Sequence, residues 1–174
     1  NQMLLRVDVN DESVETFNHK EIKWSKYDAV LVSDYDKGFL NDKDLNNICF
    51  HHDNVFVNTK RHFNYDIPRE IRFVQLNQYE LENNGHIKLH VNNKADHYVK
   101  NKVIVTLGGR GCLYKNKIYP PEKRREVRDL SGAGDTFLSA FSISIMKEND
   151  VEKAIHFAQE CASLVVAKRG VTTV

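Results

Sequence analysis

Four short apolar runs recur along the chain, and helical patterns separate them. The runs are YDAVLVSDY at 27–35, NVFVNTK at 54–60, IRFVQLN at 71–77 and KVIVTLGG at 102–109. Continuous apolar runs are typical of strands buried on both faces, and short buried strands that alternate with helices form parallel sheets. The sequence therefore predicts an α/β fold with a mostly parallel sheet flanked by helices. A further strand is expected at residues 4–9.

Helix and turn signals lie between and after these runs. The predicted helices are at 41–50, 78–83, 133–148 and 151–169. Asn41 and Asp150 are the expected N-caps, and Gly170 is the expected stop of the last helix. GCLYKNKIYPP predicts a hairpin that turns at Lys115 and Asn116. The polar residues 83–102 are predicted to form a loop with one edge strand.

Composition excludes several classes of protein. The chain has 174 residues, of which 41% are hydrophobic, and this suits one domain or a large part of one. A formal net charge of +1 gives neither the basic surface of a nucleic-acid-binding protein nor an acidic tail. Apolar runs are too short to span a bilayer, and residues 1–11 lack a signal pattern. Three well-separated cysteines are expected to be reduced thiols, and we expect a cytoplasmic location without nucleic-acid or membrane partners.

One segment, DLSGAGDTF at 129–137, carries a recognisable chemistry. The glycines Gly132 and Gly134, with Ala133 between them, let successive backbone N–H groups point the same way before a helix begins. Such a turn binds anions, because the amino end of a helix is electropositive. Asp135 would stand beside a bound phosphoryl group and could accept a proton from an attacking hydroxyl. The plain alternative is a helix start with Asp135 as a first-turn charge.

This segment resembles the second signature of the ribokinase-like, or PfkB, carbohydrate kinases, Asp-x-Thr-Gly-Ala-Gly-Asp. Ser131 replaces the threonine and keeps its hydroxyl. The resemblance implies that Asp135 is the catalytic base and that the backbone of Gly132, Ala133 and Gly134 is the anion hole.

Two more segments resemble motifs of the same family, in the same order along the chain. NQYE resembles its Asn-x-x-Glu motif, which implies that Asn77 and Glu80 help to organise Mg²⁺ and phosphate, with Glu80 acting through water. VTLGGRG resembles its nucleotide loop, which implies that Thr106, Gly108 and Gly111 contact the nucleotide. Taken alone, the first motif could equally be a strand end with a solvated helix turn, and the second a tight turn after a strand.

Within the family, several segments are similar to the kinases of D-glycero-β-D-manno-heptose 7-phosphate. They are NQMLLRVD, VLVSDYDKGFL, VNTKRHFNYDIPREIRFVQLNQYE and AKRGVTTV. The similarity is weakest at 85–101, and it departs at Asn58-Thr59, where these kinases have Asp-Pro. It implies phosphorylation of C1 for ADP-heptose and lipopolysaccharide synthesis. Asp34, Tyr35, Lys37 and Gly38, at the carboxyl end of a strand, would then line the sugar site, or SDYDKG would be only a capped turn.

The resemblance also implies that the chain is the carboxyl-terminal, nucleotide-binding part of one kinase domain. We expect ATP and Mg²⁺ as cofactors, a small sugar phosphate as substrate, a possible homodimer, and little activity from these residues alone. A kinase for another sugar or nucleoside, or a nucleotide-binding fragment without catalysis, remains an alternative. His51 and His52 are expected at a surface helix end rather than at a metal, and EKRREVR at 122–128 is expected to be a solvated approach to a strand.

Overall fold

The computed structural model describes residues 16–62, 67–85, 87–88, 97–170 and 172–174. The strands are β1 Val30–Asp34, β2 Val55–Thr59, β3 Ile71–Asn77, β4 Val103–Thr106, β5 Cys112–Tyr114 and β6 Lys117–Tyr119. The α-helices described with them are α1 Asp42–His51, α2 Gln78–Asn83, α3 His97–Lys100, α4 Ala133–Glu148 and α5 Val151–Val166. Short 3-10 helices lie at His19–Glu21, Trp24–Lys26 and Gly108–Arg110. The strand predicted at 4–9 lies outside the described residues.

The strands form one mixed sheet whose spatial order follows the chain, from β1 to β6. Strands β1 to β4 are parallel, and β5 and β6 add an antiparallel hairpin. The hairpin turns at Lys115 and Asn116, which both have positive φ, as two-residue hairpin turns require. The mostly parallel α/β sheet and the hairpin are therefore confirmed. Because the carboxyl ends of β1 to β4 share one edge, the loops that follow these strands lie near one another.

Each face of the sheet has its own apolar core. On one face, Leu45 and Ile48 of α1 pack with Val57 and Val74 of the sheet. On the other face, α4 and α5 cover a cluster in which the rings of Phe73 and Phe141 form a T-shaped pair, with 4.8 Å between their centroids. Side chains alternate along each strand, so neighbouring residues of β1 and β3 face different helices. This alternation decides which polar residues reach α4.

The caps predicted for two helices are confirmed. Asn41 accepts hydrogen bonds from the N–H groups of Lys43 and Asp44, and Asp44 accepts one from the N–H of Asn41. Asp150 accepts a bond from the N–H of Lys153 at 3.1 Å. The last helix, however, ends at Val166 rather than just before Gly170. The carbonyl of Val166 accepts bonds from Arg128 and Asp129, and these tertiary bonds accompany the earlier end.

Two further expectations about strands are wrong in part. Strand β1 is not buried on both faces, because Leu31 is 41% exposed and Ser33 is exposed, while Val32 and Asp34 are buried. Strand β1 lies at one edge of the described sheet, and its face on the α4 side is only partly covered. At 83–102, where a loop with one edge strand was expected, His97–Lys100 is helical instead of loop, and the edge strand stays a prediction because residues 86 and 89–96 lie outside the described part. Among the described helices, none has the length and apolar character to cross a bilayer.

Candidate active site

The glycine turn, residues 132–134, leads directly into α4. Gly132 is the N-cap and adopts φ 75° and ψ 0°, a left-handed conformation that glycine takes without strain. No side chain among the described residues caps this helix. The N–H of Ala133 donates to the Leu130 carbonyl at 3.3 Å, while the next N–H groups, of Gly134 and Asp135, have no partner within the helix and keep the capacity to bind an anion.

Asp135 lies in the first turn of α4, and two hydroxyl groups from the β1 region meet its carboxylate. Ser33 Oγ donates to Oδ1 at 2.6 Å, and the Tyr35 hydroxyl donates to Oδ2 at 2.9 Å. Lys60 Nζ lies 4.5 Å from the centroid of the Tyr35 ring, within the range of a cation–π contact. The structure thus gives Asp135 tertiary partners, which a simple first-turn charge would not require.

Tyr35 was expected at the sugar site within SDYDKG, but Ser33 and Tyr35 were not predicted from the sequence as partners of Asp135. Strand periodicity could have found them, because residues two apart on a strand share a face. Ser33 and Tyr35 point to α4, and Asp34 between them points to the α1 side. Asp34, Tyr35 and Lys37 were expected together at the sugar site, with no distinction by the face of the strand to which each points.

Asp34 is a buried structural carboxylate in this structure. Its Oδ1 accepts the N–H of Asp36, and its Oδ2 accepts Thr59 Oγ1 at 3.1 Å and Arg61 Nε at 2.5 Å. The Arg61 pKa is raised, because hydrogen bonding and charge from Asp34 outweigh its desolvation by burial. These contacts favour the capped-turn alternative for Asp34. Lys37 lies exposed in the turn that follows.

Asn77 and Glu80 form a reciprocal cap at the start of α2. Asn77 Oδ1 accepts the N–H of Glu80 at 2.8 Å, and Glu80 Oε2 accepts the N–H of Asn77 at 2.8 Å. This capping box gives both residues a structural role and fixes where they lie at the end of β3. It leaves Glu80 Oε1 as the carboxylate oxygen that the cap does not use.

A cleft of about 450 Å³ brings the glycine turn and the loop after β4 together. Among its lining residues are Ala133 and Gly134 from the turn, with Thr106, Gly108 and Gly111 from the loop. Gly111 is at φ 96°, and a Cβ there would overlap the Tyr119 carbonyl oxygen, so only glycine fits. Two motifs that lie more than 20 residues apart in the sequence therefore share one cavity.

The cleft also has a basic wall that the sequence analysis did not anticipate. Lys123, Arg124 and Arg125 line it, although EKRREVR was expected to be a solvated approach to a strand. No strand forms at 122–128. Arg125 is anchored to α5 by Glu160 at 2.5 Å and Ser163 at 3.1 Å. This anchoring to α5 brings the segment over the cleft. The sequence around 122–128 does not predict that position, because the residues that hold Arg125 lie more than 30 positions away.

Two buried glutamines line the same cleft with unused hydrogen-bond acceptors. Gln75 is 3% exposed and Gln159 is 8% exposed, and Oε1 of each has no partner among the described residues. Gln159 Nε2 donates to the Tyr119 carbonyl at 2.8 Å. A buried acceptor without a partner costs about 1–3 kcal/mol. Both oxygens are therefore available to a bound group that carries N–H or O–H donors.

Comparison with known proteins assigns the chain to a family. Residues 9–174 match the family described as pfkB family carbohydrate kinase. The chain belongs to the PfkB family. Its relatives include the bifunctional protein HldE of Helicobacter pylori strain Shi470, 30% identical over 98% of this chain, and that of a Nitratiruptor species, 28% identical over 99%. The chain spans 41% of the length of each of these relatives.

Solved structures show that this PfkB chain has the ribokinase fold. Ribokinase from Thermotoga maritima superimposes with a TM-score of 0.65 at 20% identity, over 88% of this chain and 57% of that one. Ribokinase from Cryptococcus neoformans, solved in complex with ADP, gives a TM-score of 0.65 at 17% identity, over 90% of this chain and 60% of that one.

The cleft has the size and the lining of a small-molecule site. Its volume lies within the range of about 300–1,000 Å³ common for small-molecule sites, and Phe137 and Val127 contribute apolar wall. The described residues hold no cluster of three side chains that could ligate a metal. Glu80 Oε1, the oxygen that the cap leaves unused, is a carboxylate ligand of the kind that Mg²⁺ accepts beside phosphates and water.

Proposed function

We propose that this chain forms the nucleotide-binding and proton-accepting part of an ATP-dependent carbohydrate kinase. The observation that carries the proposal is the position of Asp135. It directly follows Gly134, which lines the cleft, and it lies at the electropositive start of α4. A carboxylate next to an anion-binding turn is what phosphoryl transfer to a hydroxyl requires.

In this mechanism, Asp135 accepts the proton of the attacking hydroxyl. The N–H groups of the glycine turn, residues 132–134, stabilise the negative charge that develops on the transferred phosphoryl group. Thr106, Gly108 and Gly111 hold the nucleotide in the cleft. Asn77 and Glu80 would hold Mg²⁺ through water, and the ion would supply positive charge that offsets the charge of the phosphates.

The substrate we propose is heptose 7-phosphate, phosphorylated at C1 in the cytoplasm for ADP-heptose and lipopolysaccharide synthesis. Support comes from the four segments that resemble heptose 7-phosphate kinases. Asp34 adds no support, because protein groups occupy both its oxygens. Another sugar or a nucleoside remains the first alternative. A nucleotide-binding protein without catalysis is the second, and a homodimer is compatible with each.

The substitution Asp135→Asn in the full-length protein tests the proposal. If Asp135 is the general base, turnover falls by about 10²–10⁴-fold. The affinity for ADP changes little, because backbone N–H groups and Mg²⁺ hold the phosphates. Asp53→Asn makes the same change at an exposed aspartate and should leave both quantities unchanged.

The alternative of a first-turn helix charge predicts another result. Asp135→Asn would then reduce stability by about 0.3–1 kcal/mol and leave turnover nearly intact. Melting temperature and turnover are therefore measured on the same preparation, and near-normal turnover would reject Asp135 as the base.

A further inference from the structure

Both carboxylate oxygens of Asp135 accept hydrogen bonds from the protein. Ser33 occupies Oδ1 and Tyr35 occupies Oδ2. A general base must bring one oxygen to within about 2.6–3.2 Å of the hydroxyl that it deprotonates. A third hydroxyl must therefore share an oxygen with one of these two or replace it. The two protein donors differ in how firmly they are held.

Ser33 is held firmly, because it belongs to the interior of strand β1. Its Cα is in register with Asn58 of β2, and the ladder continues past it to Asp34 and Thr59. The serine hydroxyl is carried by one short carbon–oxygen bond, so side-chain rotation moves it over a much shorter distance than it moves the Tyr35 hydroxyl. The distance of 2.6 Å is short, as expected for a hydroxyl donating to a carboxylate.

Tyr35 lies just beyond the end of β1, and its side chain is 44% exposed. The next residue, Asp36, has φ 56°, so the chain turns away from the strand directly after Tyr35. Lys60 Nζ lies over the face of the Tyr35 ring. Rotation of a long exposed side chain of this kind can carry its hydroxyl well away from Asp135, whereas the Ser33 hydroxyl moves much less.

We propose that Ser33 and Tyr35 have different tasks in the reaction assigned above to Asp135. Ser33 is a positioning residue that keeps Oδ1 in one orientation throughout. Tyr35 places its hydroxyl where the acceptor hydroxyl of the carbohydrate binds, and it leaves Oδ2 when the carbohydrate arrives. The proposal rests on the proposed function, because it assumes that Asp135 deprotonates a hydroxyl.

The chemical step then balances as follows. The proton of the carbohydrate hydroxyl moves to Oδ2 of Asp135, and the carbohydrate oxygen forms a bond to the γ-phosphorus of ATP. The bond between that phosphorus and the bridging β–γ oxygen breaks, and ADP leaves with the electron pair. Tyr35 takes no part in this transfer, because its hydroxyl has already been displaced.

The test compares Ser33→Ala, Ser33→Thr and Tyr35→Phe in the full-length protein by steady-state kinetics. Ser33→Ala should lower kcat by about 10- to 100-fold, since a misplaced base loses that much, with little change in KM for the carbohydrate. Ser33→Thr keeps the hydroxyl and should recover most of kcat. Tyr35→Phe should lower KM for the carbohydrate several-fold, because no hydrogen bond has to be broken on binding, and should affect kcat far less than Ser33→Ala.

Two controls separate this proposal from the proposed function. Tyr27→Phe removes the hydroxyl of another exposed tyrosine near β1 and should change neither parameter. Calorimetric binding of the sugar phosphate without nucleotide should be tighter for Tyr35→Phe than for the unmodified protein. If turnover is normal and Tyr35→Phe raises KM, or lowers kcat as Ser33→Ala does, the displacement is rejected and the kinase assignment stands. If ADP binds but no sugar phosphate binds or reacts, the kinase assignment and the displacement are both rejected.

Discussion

At the scale of single residues, Gln75 is buried against the usual rule for polar side chains. It is 3% exposed and its Oε1 lacks a partner among the described residues. Gln75→Met has a similar size and removes the unpaired acceptor. We expect it to raise the free energy of unfolding by about 1 kcal/mol and to weaken ADP binding. Thermal unfolding and calorimetry on the same preparations measure the two effects.

Gln159→Met is the matched control for Gln75→Met. It removes a similar unpaired oxygen, but it also removes the bond from Nε2 to the Tyr119 carbonyl. Its gain in stability should therefore be smaller. A lower melting temperature for Gln75→Met than for the unmodified protein would show that Gln75 stabilises the fold rather than serving a ligand.

At the scale of elements, the two glycines around the start of α4 serve different purposes. Gly132 is required by its positive φ of 75°. Gly134 does not have a positive φ, and a Cβ built on it would meet only Gln75 Nε2, at 3.7 Å. The fold therefore accepts alanine at 134, so a requirement for glycine there would come from a bound ligand and not from the fold.

Gly134→Ala should separate folding from binding. Replacing a helical glycine by alanine is expected to raise stability by about 0.4–1 kcal/mol, because the unfolded chain loses freedom. The new methyl group projects toward the cleft and should weaken ADP binding on the order of 10-fold, which corresponds to about 1.4 kcal/mol. Gly85→Ala, where a Cβ meets no atom within 4 Å, is the control and should leave ADP binding unchanged. Equal ADP affinity in Gly134→Ala and the unmodified protein would contradict a phosphate site at the turn.

At the scale of the whole molecule, Asp129 joins the approach to the glycine turn to the end of the chain. Its Oδ1 accepts the N–H of Ser131 at 2.9 Å, and its Oδ2 accepts the N–H of Gly170 at 3.1 Å. Hydrogen bonds, the largest from the backbone of Ser131, lower the pKa of Asp129 below its usual value. The carboxylate form therefore stabilises the folded state above the unfolded pKa of about 4, and this is lost as the pH falls through the lower folded pKa.

Asp129→Asn should lower the melting temperature at pH 7, and the difference from the unmodified protein should shrink as the pH falls below about 4. Melting curves at a series of pH values measure this difference. Asp53→Asn, at an exposed aspartate, should show no such pH-dependent difference. A gap for Asp129→Asn that stays constant down to acid pH would mean that the charge of Asp129 does not contribute.

The sequence by itself determined the local features of this protein. Short apolar runs predicted β1 to β4, because each of these strands packs at least one apolar face into the core. Asn41 and Asp150 specified helix starts, because capping is made with residues two or three positions away. The glycine turn and the proposed role of Asp135 could be predicted for the same reason, because the residues of that pattern are consecutive in the sequence.

Only the tertiary structure decided which distant groups meet. Ser33 and Tyr35 reach Asp135 across about 100 positions, and the charge run at 122–128 becomes a cleft wall because Glu160 and Ser163 of α5 hold Arg125. Asp34 accepts hydrogen bonds from Thr59 and Arg61, because the alternation of side chains along β1 places it on the same face as these residues. Pairings of this kind depend on strand order, on register and on the helix that covers each face. A linear pattern of residue types does not contain that information.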